Sequence, residues 1–129
     1  MPLINIDVVA GRTQEQLQAL LDTVHESMVE AFEVPPTDRY QILTQHKPHE
    51  MVALDTGLGM TRSNDLVVLR FTSRRRAEDA KKKLYRLLAT GLEAKCGISP
   101  QDLIVTITEN DAADWSFGNG TAQFLTGEL

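Results

Sequence analysis

The chain lacks several features that would assign it to a class at once. It has a single cysteine, Cys96, so no disulfide framework can form and a reducing cytoplasm is the expected location. No apolar run approaches the roughly 20 residues of a membrane span, and the start has no basic region followed by an apolar stretch. The formal net charge of −5 argues against general nucleic-acid binding. A cytoplasmic protein without a membrane or nucleic-acid partner is expected.

The common catalytic and metal-binding motifs are also missing. The sequence has no glycine-rich phosphate loop, no Ser-His-Asp spacing and no paired cysteines. His46 and His49 share the loop stretch HKPH without a third donor nearby, which makes a poor metal site. His25 lies beside an apolar helical stripe and is predicted to be a packed helix residue. No metal site is expected.

What the chain does contain is an internal repeat. When one half is laid on the other at an offset of 64 residues, no gap is needed, and Arg12 falls on Arg76 and Asp38 on Asp102. Each half is typical of a strand, an amphipathic helix and a second strand. The predicted fold class is α/β (α+β): two consecutive βαβ units form a four-stranded sheet with both helices on one face.

The boundaries of these units follow from local signals. Thr13 and Gln16 form a capping-box pattern at the first helix start. The second helix is predicted over SRRRAEDAKKKLYRLLATGLEAKCG, with Gly97 as the residue that ends it. The single predicted domain comprises a βαβ unit over about 2–45, a connecting loop with a short hairpin over about 46–65, a βαβ unit over about 66–109, and a loop-and-strand tail over about 110–129.

Two helices can cover only one face of such a sheet. The strand segments VVLRF and LIVTI are apolar at positions that alternate between both faces. The uncovered face is therefore expected to meet a partner, and the simplest partner is another copy of the chain.

Pro2 follows the first methionine directly and opens the first strand. Removal of Met1 before this small residue would leave the nitrogen of Pro2 as a free secondary amine, which is both a base and a nucleophile. Most chains that begin Met-Pro make no use of it. The repeat sets the two first strands side by side at the centre, so Pro2 should lie at one end of the sheet.

Arginines form a local cluster, Arg74 to Arg76, in an otherwise acidic chain. Arginine binds carboxylates through a planar fork of donors, so an anionic ligand is one interpretation. Compensation by Glu78, Asp79 or solvent is the other. Asp38, after VPPT, has two corresponding interpretations: a turn residue, or a carboxylate that positions water or a proton opposite the amine.

These features together resemble the tautomerase superfamily, and within it the group of malonate semialdehyde decarboxylases. The resemblance spans essentially the whole length of the chain. It is carried by the stretches GRT, VPPTDRYQ, QHKPHEMV, DTGLGMTRS, SRRR, CGISPQDLIV and ENDAADWSFGNGTAQFLTGEL.

The resemblance implies a homotrimer that binds a small carboxylate substrate and needs no cofactor or metal. It implies an N-terminal proline at Pro2, an aspartate at Asp38, and substrate-binding arginines at Arg74 and Arg76. It also implies an apolar pocket wall at Trp115, Phe117, Phe124 and Leu129.

The implied reaction is the decarboxylation of malonate semialdehyde to acetaldehyde and CO₂. A tautomerase, a hydratase, a cis-3-chloroacrylic acid dehalogenase-like enzyme and a catalytically idle trimeric binding protein stay open as alternatives. One residue departs from the family pattern: Arg75 stands where the similar decarboxylases have proline. Because alternate residues share a face only in extended backbone, we expect an extended or turn-like triplet in which Arg74 and Arg76 converge and Arg75 points away.

Overall fold

The computed structural model describes residues 1–129, and its elements form two βαβ units. They are, in chain order, β1 (Leu3–Val9), α1 (Gln14–Phe32), β2 (Tyr40–His46), β3 (Val67–Arg74), α2 (Glu78–Cys96), β4 (Leu103–Asn110) and the short α3 (Gln123–Thr126). The bounds of α1 and α2 differ by 64 residues, which is the offset of the sequence repeat. The repeat predicted from the sequence is thus confirmed as a structural repeat.

Two of the local signals that bound the long helices were predicted from the sequence, and both are confirmed. The backbone N–H of Gln16 donates to Thr13 Oγ1 at 3.1 Å, and the N–H of Thr13 donates to Gln16 Oε1 at 2.9 Å, which completes the capping box. Gly97 ends α2 at φ 65°, a left-handed conformation that glycine adopts without a Cβ clash.

The start of α2 differs from the prediction. The helix begins at Glu78 rather than at the arginines, because β3 continues its ladder with β4 as far as Arg74. Residues 75–77 have no regular structure, and Ala77 occupies the extended N-cap position. Glu78 and Asp79 therefore fill the first helical turn, where the helix dipole favours negative charge.

The sheet has the order β2-β1-β3-β4, with the first strands of the two units at its centre, as predicted. β1 is parallel to β2, β3 is parallel to β4, and β1 is antiparallel to β3. In this register Leu3 lies opposite Tyr40 on one side and opposite Thr72 on the other. One edge of the sheet, formed by strand ends, therefore brings together the start of β1, the start of β2 and the end of β3.

One face of the sheet packs on both helices and forms the core. Side chains alternate along each strand, so every second residue of β1 and β3 points to the helices. The fully buried core residues of the two strands and two helices include Ile4, Ile6, Val8, Leu20, Val24, Met28, Val67, Leu69, Phe71, Leu84, Leu88 and Leu92.

The opposite face has no helix on it, and it is less apolar than the sequence analysis predicted. The same alternation places Asn5, Asp7 and Arg70 on this open face. Asp7 accepts hydrogen bonds from His46 Nε2 at 2.7 Å and from Arg70 Nη2 at 3.0 Å. His46 is thus the last residue of β2 rather than a loop residue, and the middle of the open face is polar.

Apolar side chains are nevertheless exposed around that polar centre. Ile42 of β2 is 53% exposed. In the connecting segment Val52 and Leu54 are each more than four-fifths exposed, and Leu58 is also open to solvent. Exposed apolar side chains are therefore concentrated on the outer strand β2 and on the segment that follows it.

The connecting segment contains no strand, so the predicted hairpin is absent. Side chains hold the segment instead: Arg62 donates to the backbone oxygens of Leu54 and Gln101. Asp102 accepts from the backbone N–H of Ser63 at 2.7 Å and from its hydroxyl at 2.6 Å. The predicted tail strand is also absent, and the tail forms a 3-10 turn at Ala112–Asp114 and α3. None of the helices is long and apolar enough to cross a membrane.

Candidate active site

The chain start lies at the edge of the sheet where two other segments arrive. Pro2 is buried directly before β1. Because β3 runs antiparallel to β1, its last residue, Arg74, extends past Thr72 towards the chain start. Asp38 stands two residues ahead of β2, whose first residue pairs with Leu3. The topology thus brings Pro2, Asp38 and the arginines together.

The amino group at this edge is electrostatically perturbed. In the chain with Met1 in place, the pKa of the Met1 amino group is lowered from 8.0 to about 6. Burial is the largest cause, followed by the positive charge of Arg76; Asp38 acts in the opposite direction, and Arg74 lowers the pKa further. The Met1 amino group is therefore largely neutral at pH 7, and the charged residues that the sequence singled out act on it.

Asp38 occupies a buried turn, with only 6% of its surface exposed. Its backbone N–H donates to the oxygen of Pro35 at 2.9 Å. The ring of His25, a packed helix residue as predicted, holds the same turn through a 2.9 Å hydrogen bond between Nε2 and the oxygen of Pro36. Asp102, the repeat mate of Asp38, accepts hydrogen bonds from Ser63 with both carboxylate oxygens. The charge of Asp38 instead acts on the amino terminus.

The arginine triplet lies outside the helix, in agreement with the extended or turn-like triplet that the sequence predicted. Arg74 ends β3, and Arg75 and Arg76 precede α2 without helical structure. The charges of Arg74 and Arg76 both act on the amino terminus. Arg75 points away: its side chain is 76% exposed and its Nε lies 3.4 Å from the carboxylate of Asp111.

Arg74 is held by an aromatic ring and has an unused donor. Its Cζ lies 3.8 Å from the centre of the Phe124 ring, within the range of a cation–π contact. Its Nε is buried and has no hydrogen-bond partner. A buried donor without a partner is costly, so this nitrogen is suited to an acceptor atom brought by a ligand.

Arg76 is held by more contacts. Its guanidinium carbon lies 4.9 Å from the centre of the Phe32 ring, and its Nε donates to Ser73 Oγ at 3.2 Å. Its backbone N–H donates to the Glu109 carboxylate at 2.7 Å. Burial, and then the neighbouring positive charge of Arg74, lower the pKa of Arg76, while Asp38 acts the other way.

An aromatic cluster from the tail borders this edge. The rings of Trp115 and Phe117 stack with centres 5.2 Å apart, and Tyr40 stacks on Phe117 at 5.5 Å. Phe124 meets Phe117 edge to face at 5.4 Å. Three of the four predicted wall residues therefore contact one another, whereas Leu129 is 55% exposed at the chain end.

Sequence reasoning missed four residues of this region: Phe32, Tyr40, Ser73 and Glu109. Tyr40 had a usable signal, since it opens β2 inside the DRYQ stretch and faces Leu3 across the sheet. Ser73 and Glu109 open the quoted stretches SRRR and ENDAADW, but their contacts with Arg76 depend on the path of the chain after β3 and could not be read from the sequence.

No group of histidine, cysteine and carboxylate side chains is arranged to hold a metal ion. The arginine triplet also borders a cavity of about 280 Å³ on its other side, together with Asn110, Asp111 and Ala112. The largest cavity, about 690 Å³, lies at the opposite edge of the sheet beside Arg12 and Asp65. The chemically distinctive groups thus lie away from the largest cavity.

Comparison with known proteins assigns the chain to a family. A family model described as tautomerase enzyme matches residues 38–118, and a second model with the same description matches residues 2–60. The chain belongs to the tautomerase family of enzymes.

The chain has close relatives over its full length. It is 57% identical to a probable tautomerase of Bacillus subtilis, YrdN, over 129 residues, with complete coverage of both chains. A crystal structure of malonate semialdehyde decarboxylase, reported with its decarboxylase and hydratase activities, matches with a TM-score of 0.97 at 54% identity, covering 98% of each chain. A malonate semialdehyde decarboxylase inhibited by 3-bromopropiolate matches with a TM-score of 0.94 at 41% identity, covering 98% of this chain and 97% of that chain.

More distant structures share the fold. The symmetric trimer of fused 4-OT matches with a TM-score of 0.78 at 18% identity, covering 97% of this chain and 98% of that chain. The architecture predicted from the repeat is thus that of the tautomerase fold.

The charges around the amine predict how its pKa responds to substitution. Arg76→Gln should raise the pKa of the amino group above about 6, because it removes a cation that disfavours protonation. Asp38→Asn should lower the pKa, because it removes the anion that favours protonation. The pH dependence of covalent labelling of the amino terminus measures both shifts, and the same directions apply to the Pro2 amine once Met1 is removed.

Arg75→Gln is the matched control, because Arg75 is exposed and paired with Asp111. It should leave the amine pKa unchanged. A shift equal to that of Arg76→Gln would contradict the assignment of the two arginines to different sides of the turn.

Proposed function

We propose that this protein is a decarboxylase of a small 3-oxo acid, malonate semialdehyde, which it converts to acetaldehyde and CO₂ without a cofactor. The observation that carries the proposal is the concentration of Arg74, Arg76 and Asp38 around a half-buried amino terminus of lowered pKa, directly before the buried Pro2. The full-length similarity to malonate semialdehyde decarboxylase supports the particular reaction. The reactive group is the amine of Pro2 after removal of Met1.

The two arginines bind the substrate carboxylate in this proposal. Their donors hold the carboxylate so that its C–C bond stands perpendicular to the carbonyl plane and overlaps the π system. Tight binding of the carboxylate alone would not accelerate the reaction, because its charge disperses in the transition state. The aromatic rings of Trp115, Phe117 and Phe124 counteract this stabilisation of the bound substrate, since an apolar surface disfavours the carboxylate relative to departing CO₂.

The amine assists the departure of CO₂ by one of two routes. A neutral amine adds to the aldehyde, loses water to give an iminium, and becomes an enamine as CO₂ leaves; protonation at carbon and hydrolysis then release acetaldehyde. A protonated amine instead hydrogen-bonds the carbonyl oxygen and stabilises the enolate. The burial and the arginine charges that lower the pKa of the Met1 amino group support the first route, and the charge of Asp38 supports the second.

A tautomerase acting on another small oxo acid is the second candidate. It is favoured by the relative at 57% identity, which is described as a probable tautomerase. Both candidates use the amine and the arginines, so the substrate decides between them.

A substrate panel tests the proposal. Tag-free protein whose intact mass shows loss of Met1 should release CO₂ and acetaldehyde from malonate semialdehyde faster than it tautomerises 2-oxo acids. Pro2→Ala leaves a primary amine and should slow turnover, whereas retention of Met1 turns the Pro2 nitrogen into an amide and should abolish it. Full activity with Met1 verified in place would exclude Pro2 as the reactive group, and faster turnover of the 2-oxo acids would favour the tautomerase.

Single alanine variants test the arginines. Arg74→Ala and Arg76→Ala should each reduce kcat/KM about ten- to a hundredfold, which corresponds to roughly 1.5–3 kcal/mol for the loss of a charge-assisted hydrogen bond. Arg75→Ala should cost far less, because exposed ion pairs such as that of Arg75 with Asp111 contribute little. Equal losses at all three positions, or the largest at Arg75, would show that the family's arginine roles do not transfer to this chain.

The assembly expected of this enzyme is a homotrimer. The helix-free sheet face and the exposed apolar residues Ile42, Val52 and Leu54 support a contact with further copies. The fused 4-OT structures of the same fold are described as trimers. Light scattering at micromolar concentration should give about three times the 14.4 kDa mass of one chain; a stable monomer would contradict this.

A further inference from the structure

Ser73 directly precedes the arginine triplet, yet its side chain points away from the open sheet face. It is fully buried, at 0% exposure, on the helix side of β3. Its hydroxyl donates to the backbone oxygen of Arg74 at 2.8 Å and accepts from Arg76 Nε at 3.2 Å. One hydroxyl thus links the end of the strand with the guanidinium of the second arginine.

This bond determines which guanidinium nitrogens remain available. Arg76 uses Nε on Ser73 and its backbone N–H on Glu109, and neither terminal nitrogen has a hydrogen-bond partner in the protein. Because the guanidinium is planar, fixing Nε on one side and the Phe32 ring near one face leaves few orientations for the terminal nitrogens. Positioning of this kind keeps a donor pair aligned before an anion arrives.

The internal repeat shows that the fold does not need a hydroxyl here. The mate of Ser73 in the first unit is Val9, which is also buried, at 6% exposure. The mate of Arg76 is Arg12, whose Nη2 donates to the backbone oxygen of Asp65 at 2.8 Å instead. In the first unit, where Arg12 does not face an amino terminus, valine thus occupies the position that serine occupies in the second unit.

We propose that Ser73 is a positioning residue, which holds the Arg76 guanidinium so that its terminal nitrogens face the amino terminus. The inference rests on the proposed binding of the substrate carboxylate by Arg76. Ser73 acts through Arg76 and does not touch the substrate.

The isosteric pair Ser73→Thr and Ser73→Val tests the role of the hydroxyl. Both side chains are β-branched and of similar size, and Val9 shows that the repeat accommodates such a side chain at this position. Ser73→Thr should keep most of the activity. Ser73→Val should lower kcat/KM for malonate semialdehyde about tenfold below the Thr variant, mainly through a higher KM, because the free carboxylate is bound less well.

A double-mutant cycle separates positioning from a structural effect. In an Arg76→Ala background the Thr and Val variants should have the same kcat/KM, because the group that Ser73 positions is gone. Ser27→Ala is the control for loss of a buried hydroxyl: Ser27 Oγ donates to the oxygen of Thr23 at 2.8 Å, in the contact between the helices. Its kcat/KM should match the wild type.

A direct readout comes from the Nε–H signal of Arg76 in a ¹⁵N-correlated NMR spectrum. The signal should be protected from exchange in the wild type and the Thr variant, and broadened or lost in the Val variant. Equal kcat/KM of the Thr and Val variants, equal protection in both, or the same Thr-to-Val loss without Arg76 would overturn the positioning role. Unchanged kcat/KM in Arg76→Ala would instead overturn the proposed role of Arg76, and with it the inference.

Discussion

The antiparallel pairing of β1 with β3 is the constraint on which the site depends. Leu3 faces Thr72 in this ladder, so the strand that begins with the chain lies beside the strand that ends with the arginines. Each βαβ unit alone would keep its first strand parallel to its own second strand and would lack the other unit's strand-to-helix turn. The amine and the arginine pair therefore meet only when the two units share one sheet.

The internal repeat places an equivalent strand-to-helix turn at each of the two edges formed by strand ends. The two edges differ because the chain begins beside only one of them. At one edge Arg76 lies beside the amino terminus. At the other edge its repeat mate, Arg12, donates a hydrogen bond to the backbone oxygen of Asp65, and no chain end is present there. Ala10 and Gly11 stand there in place of Arg74 and Arg75, and the 690 Å³ cavity lies at that edge. The amino terminus lies at one edge only, so the larger cavity at the other edge has an arginine but no amino terminus beside it.

The sequence predicted what depends on periodicity, and it failed where tertiary contacts decide. The hydrophobic repeat correctly indicated the order of elements, the central strands and the helix-covered face. The start of α2 was wrong because strand pairing extends to Arg74 despite the helix-like composition of that segment. The polar open face was missed because Asp7, His46 and Arg70 are far apart in sequence and satisfy one another only across three strands. The contact of Ser73 with Arg76 was missed for the same kind of reason.

The site combines two requirements that oppose each other electrostatically. The arginines that suit a carboxylate also disfavour a proton on the neighbouring amine, and Asp38 compensates for only part of that effect, since the amine pKa stays below its ordinary value. A carboxylate bound at the arginines adds a negative charge beside the amine and raises the amine pKa. By thermodynamic linkage, protonation of the amine strengthens carboxylate binding by the same factor. In the proposed decarboxylation by a protonated amine, departure of CO₂ removes that charge, so the proton affinity of the amine falls at the step in which the enolate needs a proton.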